Sequence, residues 1–496
     1  MKKKLLLIFL FLIIPKQVQG VTNWNEFVNQ LTDDTEIIEL ENDIIGDSDV
    51  NITKDKTLNL NGYKIISTRN ISIEGAEVNI INGKITSTAN NTLNIINGGS
   101  VNLNNSTIEN TKSGGYSIYI KGYADDNGIK TKLLIDKESI ISANFALGIQ
   151  RNGYASYGVI VDIYGSVIGE NTINSYNYGA VGIHILNNIK QIEGNIPEIN
   201  VYEGANIIAK EGHTGDINAD DAPAIYAEGY ARWNIKGGII KGSEAITAFA
   251  GEYNISGGEL IGIGDFYESQ IEANKSLATG SAIALAENSS FSGNIIMNIT
   301  SGNITSEKAI AIRSLISNTT QINSIGNINL TGGKYTGEIS AVKIPNYEKF
   351  ISGGCYSSKP SENYLKSEDL SIIKDNDYYC VGIKNEISIS EESEKFININ
   401  TKEAIAGQKV KIVTKKNDEY IISNINVKTI SGKEIEVVDG TFEMPNEQVI
   451  IEIVYTKNIN NPQTSDNVYK SLIGVVVSLI IMCVCIVFGI NNTIKS

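Results

Sequence analysis

The stretches LNLNGYKI (Leu58–Ile65), VNIINGKIT (Val78–Thr86) and LNIINGGSVNL (Leu93–Leu103) decide the reading of this chain. Each alternates aliphatic with polar residues, turns at Asn-Gly or Gly-Gly, and then alternates again. That is the period of two expected of half-buried strands joined by tight corners. The unit returns as WNIKGGIIKG (Trp233–Gly242), YNISGGELIG (Tyr253–Gly262), INLTGGKYTG (Ile328–Gly337) and FISGGCYSS (Phe350–Ser358). Gly62 and Gly83 lie 21 residues apart, Gly238 and Gly258 lie 20 apart, and Gly333 and Gly354 lie 21 apart. A fixed period near 20 residues marks a solenoid whose repeats stack only on their neighbours. With two or three short strands per repeat, the simplest such solenoid is a parallel β-helix. Ile, Val and Leu would stack inward, and glycine would supply the positive-φ corners. Asparagine would form hydrogen-bonded ladders at those corners. At about 21 residues per coil the region holds roughly 15 coils, a rod of about 70 Å at about 4.8 Å per coil.

Between Lys121 and Asn218 the strands continue, in LLIDKESII and GVIVDIYGSVIG, but the period drifts. Insertions fall at Lys121–Lys130, Glu170–Gly179 and Lys210–Pro223. Insertions in a solenoid project from one face, often the binding face. Ahead of the repeats, Asn23 to Leu31 places apolar residues at i, i+3, i+4 and i+7, with Asn23 at the head and Glu26 three later. This predicts a short capping helix over an otherwise open strand edge. That stretch, with TEIIELENDI and KTLNLNGYKI, resembles the opening of pectate-lyase-like right-handed parallel β-helix proteins. ISGGCYSSKPSENYLKSEDLSII (Ile351–Ile373) resembles the closing module of such domains in surface proteins of gut Firmicutes. The resemblance implies an all-β fold, a β-helix over residues 21–384, and says little of activity.

From Asn385 the glycine corners stop and longer strands are expected at EKFININ, QKVKIVTKK, YIISNINVKTI, KEIEVV and QVIIEIVYT. The run AGQKVKI…SGKEIEVVDGTFEMPNEQVIIEIVYT is similar to divergent internalin B-repeat-like modules, which implies a small all-β domain over 385–457.

The two ends speak of location. Lys2, Lys3 and Lys4 precede an apolar run from Leu5 to Ile14, the pattern of a secretory signal peptide (residues 1–20), with cleavage expected between Gly20 and Val21. Residues 471–490, SLIGVVVSLIIMCVCIVFGI, carry no charge and are long enough to span a bilayer, leaving a tail of 491–496. In the 458–470 linker ahead of them stand Asn461, Pro462, Gln463, Thr464 and Ser465. This NPQTS, apolar helix and short tail resemble the sorting signal of Gram-positive surface proteins, of the LPxTG or NPQTN type. The resemblance implies cutting by a sortase between Thr464 and Ser465 and linkage of Thr464 to peptidoglycan. One lysine stands in the tail where the family has a basic cluster, and the motif ends in Thr-Ser. The alternative is a permanent single-pass anchor in the plasma membrane, also used before sorting. Both readings put residues 21–460 outside the cell.

The chain of 496 residues has a net charge of −15 and four arginines, so it repels phosphate backbones and nucleic acid is not an expected partner. Two histidines and four cysteines argue against zinc-finger, haem or iron–sulfur ligation, and no cofactor or metal site is expected. Cys355 and Cys380 fall in the exported part and are either bridged or free; the sequence leaves both open. Because β-helices often carry polysaccharide lyases or hydrolases, paired carboxylates matter. Asp125-Asp126 and Asp220-Asp221 are candidates, the latter near His213 in Gly-His-Thr-Gly-Asp. Polygalacturonase-like enzymes place an Asp pair before Gly-His-Gly and follow it with Arg-x-Lys; here the order is reversed and Arg-x-Lys is absent. Adjacent aspartates in loops are ordinarily turn formers, so no catalytic residue is assigned. His184, in an apolar strand, reads as structural. Tyrosines cluster at the insertions, and Tyr123, Tyr176 and Tyr178, with His213, Asp220 and Asp221, are the candidate binding residues, for glycans or for host or bacterial surface proteins. The expectation is a wall-anchored adhesin or display scaffold; the rival is a polysaccharide lyase or glycoside hydrolase on the same fold.

Overall fold

The computed structural model describes residues 20–123, 127–150, 157–170, 179–186, 196–210, 222–266, 279–286, 293–315, 325–458 and 472–480. The chain divides at Gly382/Ile383 into two compact units.

The first unit opens with helix α1, Trp24–Thr32. Asn23 caps it by accepting the backbone N–H of Glu26 at 3.1 Å, while the Glu26 carboxylate reaches back to the Thr22 backbone N–H and hydroxyl. Its apolar stripe buries Trp24, Phe27 and Leu31 against the first rung. Val21 is already part of that rung, buried, donating to the Glu39 carbonyl at 2.7 Å and bridged to Leu40. The cleavage point expected from the sequence therefore abuts the first ordered strand pairing.

From there the unit is a parallel β-helix-like stack. One sheet of eleven parallel strands runs in spatial order from Val50–Ile52 to Ser340–Lys343; a larger sheet wraps the other sides. Its strands pair parallel from coil to coil. The registers draw an unbroken aliphatic column inside: Ile38, Leu58, Ile80, Leu103, Ile135, Ile163, Val201, Ile235, Ile255, Ile299 and Leu330. Every member is at most 1% exposed. A second column in the eleven-stranded sheet runs from Val50 through Ile71, Leu93 and Ile118 to Ile312 and Val342.

The coil count differs from the sequence expectation. Among the described residues the eleven-stranded sheet counts eleven rungs rather than about 15, because several rungs carry insertions while keeping their register. Ile225 pairs with Ile246, one period on, yet it also pairs with Ile183, two periods back. At about 4.8 Å per rung the stack is about 50 Å long.

Asparagine ladders form, but mostly elsewhere than expected. The corners hold one step, Asn105 Nδ2 to Asn82 Oδ1 at 3.1 Å, between two residues held at positive φ. The long ladder lies on outward strand positions. Asn200 donates to Asp162, Asn234 to Asn200, Asn254 to Asn234, Asn298 to Asn254 and Asn329 to Asn298, at 2.9–3.4 Å. Lys366 Nζ then donates to Asn329 Oδ1 at 3.2 Å. Every amide points the same way, with a carboxylate at the accepting end and an ammonium at the donating end.

The later corners are glycine pairs. Gly238 sits at φ +82°, and a Cβ there would come within 2.6 Å of the Ala205 carbonyl stacked beneath it. Only glycine meets both demands. The stack ends at Cys355, whose strand pairs antiparallel with Tyr378–Ile383, and Cys355 and Cys380 are joined by a disulfide. A bridge closing a loop of 25 residues stabilises by about 3 kcal/mol.

The second unit has its own core, in which Ile387, Phe396, Val410, Val427, Phe442 and Ile451 are buried. Val449–Lys457 is its central strand, antiparallel to Tyr420–Thr429 and parallel to Asn385–Ile389. Lys409–Thr414 pairs with Ile397–Ile399 and Thr441–Glu443. The strands expected from the sequence are all present, although KEIEVV contributes only Glu434–Ile435. Residues 472–480 are helical and exposed, and among the described residues no helix is long and apolar enough to cross a membrane. The rest of the expected span, and Asn461 to Ser465, lie outside the described residues.

Because each column member is packed from above and below, Ile163→Ala should cost about 2–5 kcal/mol. The check is urea unfolding of the variant against the parent, and a loss below about 1 kcal/mol would mean that the column is not close-packed.

Candidate functional site

The eleven-stranded sheet presents its aliphatic residues inward, so the intervening positions face out. In chain order, strands Tyr116–Lys121, Phe145–Gln150, Val181–Ile185, Ile225–Ala227 and Ile246–Ala248 are successive neighbours. Along their outer side runs a file of rings. Tyr119 meets Tyr116 edge-on at 5.2 Å, Tyr116 stacks on Phe145 at 5.1 Å, and Phe145 meets His184 at 5.6 Å. His184 meets Tyr226 at 5.5 Å, and Tyr226 meets Phe249 at 5.5 Å. Tyr116, Tyr119, Phe145 and His184 are half-buried, whereas Tyr226 and Phe249 are buried. The file thus offers four partly accessible rings backed by two that are packed away.

Polar contacts fix the rings' orientation. Tyr116 Oη lies 3.0 Å from His184 Nδ1, and His184 Nε2 lies 3.5 Å from a Glu228 carboxylate oxygen. Burial, reinforced by Tyr119 and Glu228, pushes the Tyr116 phenol well above its ordinary range, and burial pushes Tyr119 up to about 12. Tyr116 therefore keeps its proton, and its hydroxyl and the His184 imidazole share one hydrogen bond, with Nε2 turned toward Glu228. His184 is a half-buried member of this file and faces outward rather than into the core. Gly148 makes room for the file: a Cβ there would lie 2.5 Å from the Tyr116 ring and 3.0 Å from the Tyr119 ring.

Of the candidate binding residues expected from the sequence, Tyr123 is described. It is half-buried, pairs with Tyr157 through backbone hydrogen bonds of 3.0 and 3.3 Å, and its hydroxyl donates to the Asn97 carbonyl at 2.7 Å. It pins the base of its insertion. Tyr176, Tyr178, His213, Asp220 and Asp221 lie outside the described residues, as do Asp125 and Asp126.

No protein-family model, curated protein or solved structure matches the chain. Its chemistry has to be read from the residues alone.

A second feature was not anticipated. The glycine corners leave a trough of about 600 Å3 along successive rungs, lined by Glu203, Asn206, Gly238, Gly258, Glu259, Gly302, Asn303 and Lys334. A neighbouring hollow of about 340 Å3 adds Glu307, Thr336 and Tyr378. Lys334 Nζ sits 4.1 Å from the centre of the Tyr378 ring. Glu203, Glu259 and Glu307 are exposed, and among the described residues no three His, Cys, Asp or Glu side chains are placed to hold a metal ion. A fully buried carboxylate, Glu244, accepts from the Ser243 hydroxyl at 2.6 Å, the Thr279 hydroxyl at 2.9 Å, the Gly280 N–H at 3.0 Å and the Thr279 N–H. Its oxygens are occupied in fastening Thr279–Gly280 to the corner, so it serves the fold.

The sequence signal for the rings was present in FALGI, GIHI and AIYA, each carrying one ring among aliphatic residues. Only the register shows that those rings meet. Gly148→Ala should displace the Tyr116 and Tyr119 rings and cost about 1–3 kcal/mol. Chemical unfolding together with near-ultraviolet circular dichroism would check both parts, and an unchanged aromatic signal would count against the packing described.

Proposed function

We propose that this chain is an exported, wall-anchored bacterial surface protein. In this reading a right-handed parallel β-helix of the pectate-lyase-like kind displays the ring-lined side of its eleven-stranded sheet to a partner. The small domain, similar to internalin B-repeat-like modules, follows it in the chain and precedes the wall linkage at Thr464. The function is adhesion: binding a glycan, or a surface protein of a host or neighbouring cell. The observation that carries the reading is the file of Tyr119, Tyr116, Phe145 and His184, four partly accessible rings in contact with one another along the outer side of one sheet. Such rings stack on sugar faces or anchor a protein partner without losing much conformational freedom on binding.

The trough supports a second reading. Its carboxylates Glu203, Glu259 and Glu307 and the cation of Lys334 are the residue types that a polysaccharide lyase or hydrolase uses. Their exposure favours the binding reading, since a general acid working near neutrality needs a carboxyl removed from water.

Two experiments divide these readings. Tyr119→Ala combined with His184→Ala should reduce glycan-array or cell binding at least tenfold while the coil stays folded. Glu259→Gln should leave that binding intact. Release of reducing or unsaturated ends from a polysaccharide, lost in Glu259→Gln, would instead favour the enzyme.

Location has its own test. Protein released from walls by muramidase should end at Thr464 joined to a peptidoglycan fragment, and Thr464→Ala should abolish this product in the mass spectrum. An intact C-terminus found only in membranes would replace wall linkage with a permanent anchor.

A further inference from the structure

In the second unit three rings in mutual contact present one side to a single ammonium. Phe396 and Tyr455 lie 4.3 Å apart, Tyr420 and Tyr455 meet edge-on at 5.3 Å, and Phe396 and Tyr420 meet edge-on at 5.8 Å. Lys395 Nζ stands 5.0 Å from the Phe396 ring centre, 5.4 Å from that of Tyr420 and 5.3 Å from that of Tyr455. All three lie inside the distance at which a cation is held by a ring's quadrupole. Phe396 is fully buried and Tyr420 and Tyr455 are half-buried, so the walls belong to the core. Lys395 is exposed, and it reaches the rings from a solvated position.

We infer that these rings form a receptor for an ammonium group carried by another molecule, with Lys395 as the occupant in its absence. The chemistry argues for it in three steps. Three mutually inclined rings around one point are the arrangement that suits a compact, weakly hydrated cation. The rings are fixed from behind, Tyr420 and Tyr455 by the paired strands that carry them and Phe396 by the core. The cage therefore does not have to be built when a ligand arrives. A lysine ammonium is strongly hydrated and sits on a flexible stem, so a quaternary ammonium replaces it at smaller desolvation cost.

Tyr455 precedes Asn461 of the sorting sequence by six residues. On the wall-linkage reading, which this placement rests on, the cage belongs to the part of the chain nearest the envelope. Polymers bearing ammonium groups would be its source of ligand there. The cage chemistry itself stands without that reading.

The probe is choline, compared with 3,3-dimethylbutan-1-ol, its neutral isostere, using saturation-transfer NMR and titration calorimetry on the full chain. The parent should bind choline and show at least tenfold weaker binding of the alcohol. Lys395→Ala should bind choline more tightly, by about tenfold, because the internal competitor is gone. Adding Tyr455→Ala should abolish binding, and Tyr455→Phe should restore it, which separates loss of the cage from loss of the fold. Equal binding of choline and the alcohol, or no choline binding by a folded Lys395→Ala, would overturn the inference. A wall-release result showing no linkage at Thr464 would remove only the envelope as source, so the two failures are told apart.

Discussion

Everything in the first unit depends on one requirement: each rung must repeat the strand spacing and register of the rung before it. A parallel ladder joins neighbours through evenly spaced backbone hydrogen bonds, and a one-residue slip would turn the aliphatic side of a strand outward. The column from Ile38 to Leu330 stays continuous over eleven rungs, and the one-residue shifts beside it, after Ile255 and after Ile295, leave its members inward. Corners must be as alike as strands, which is why glycine occupies Gly238, Gly258, Gly333 and Gly354 with closely similar φ. The ends are where repetition fails, and there the chain spends other devices: α1 against the first rung, and a disulfide-fastened hairpin at the last.

The same requirement explains what could be read from the sequence. The alternating strands, the corner glycines and the spacing near 20 residues were legible, because they are the constraint itself written in residues. The capping helix was legible from Asn23, Glu26 and the stripe of Trp24, Phe27 and Leu31. The number of rungs was not, since dividing length by period treats inserted residues as coil. The segments ahead of Ile183 and Ile225 lengthen their rungs without disturbing the register. Asparagine's place was misjudged for a related reason: the residue suits both a positive-φ corner and an outward ladder. Asn82 is at a corner and Asn254 is on a strand, within similar local sequence.

The ring file and the trough illustrate a second limit. Tyr116, Phe145 and His184 are separated by 29 or more residues, and nothing local to any of them announces the others. Their meeting is a property of register, which accumulates every insertion along the way. The trough is less visible still, because its floor is an absence of side chains. Its glycines were read for period, and the open space they leave follows only once the corners are stacked. The Lys395 cage combines both limits, drawing its rings from three separate strand or turn segments of the smaller unit.

The ladder from Asp162 to Lys366 bears on how such a protein can lengthen over evolutionary time. Solenoids grow by duplicating a coil, and a copied rung is accepted only if both of its faces fit unchanged neighbours. Within the span bounded by Asp162 and Lys366, a duplicated coil must carry asparagine at the ladder position. Otherwise one amide loses its acceptor and the file of aligned dipoles breaks into two pieces, each with one uncompensated end. Outside that span, at rungs such as that of Leu134, which stands in the same register as Asp162, no such condition applies. Duplication should therefore have been filtered along the stack, with the ladder segment growing only by copying its own coils, while the rungs before Asp162 carry only single steps such as Asn102 to Asn79 and Asn105 to Asn82.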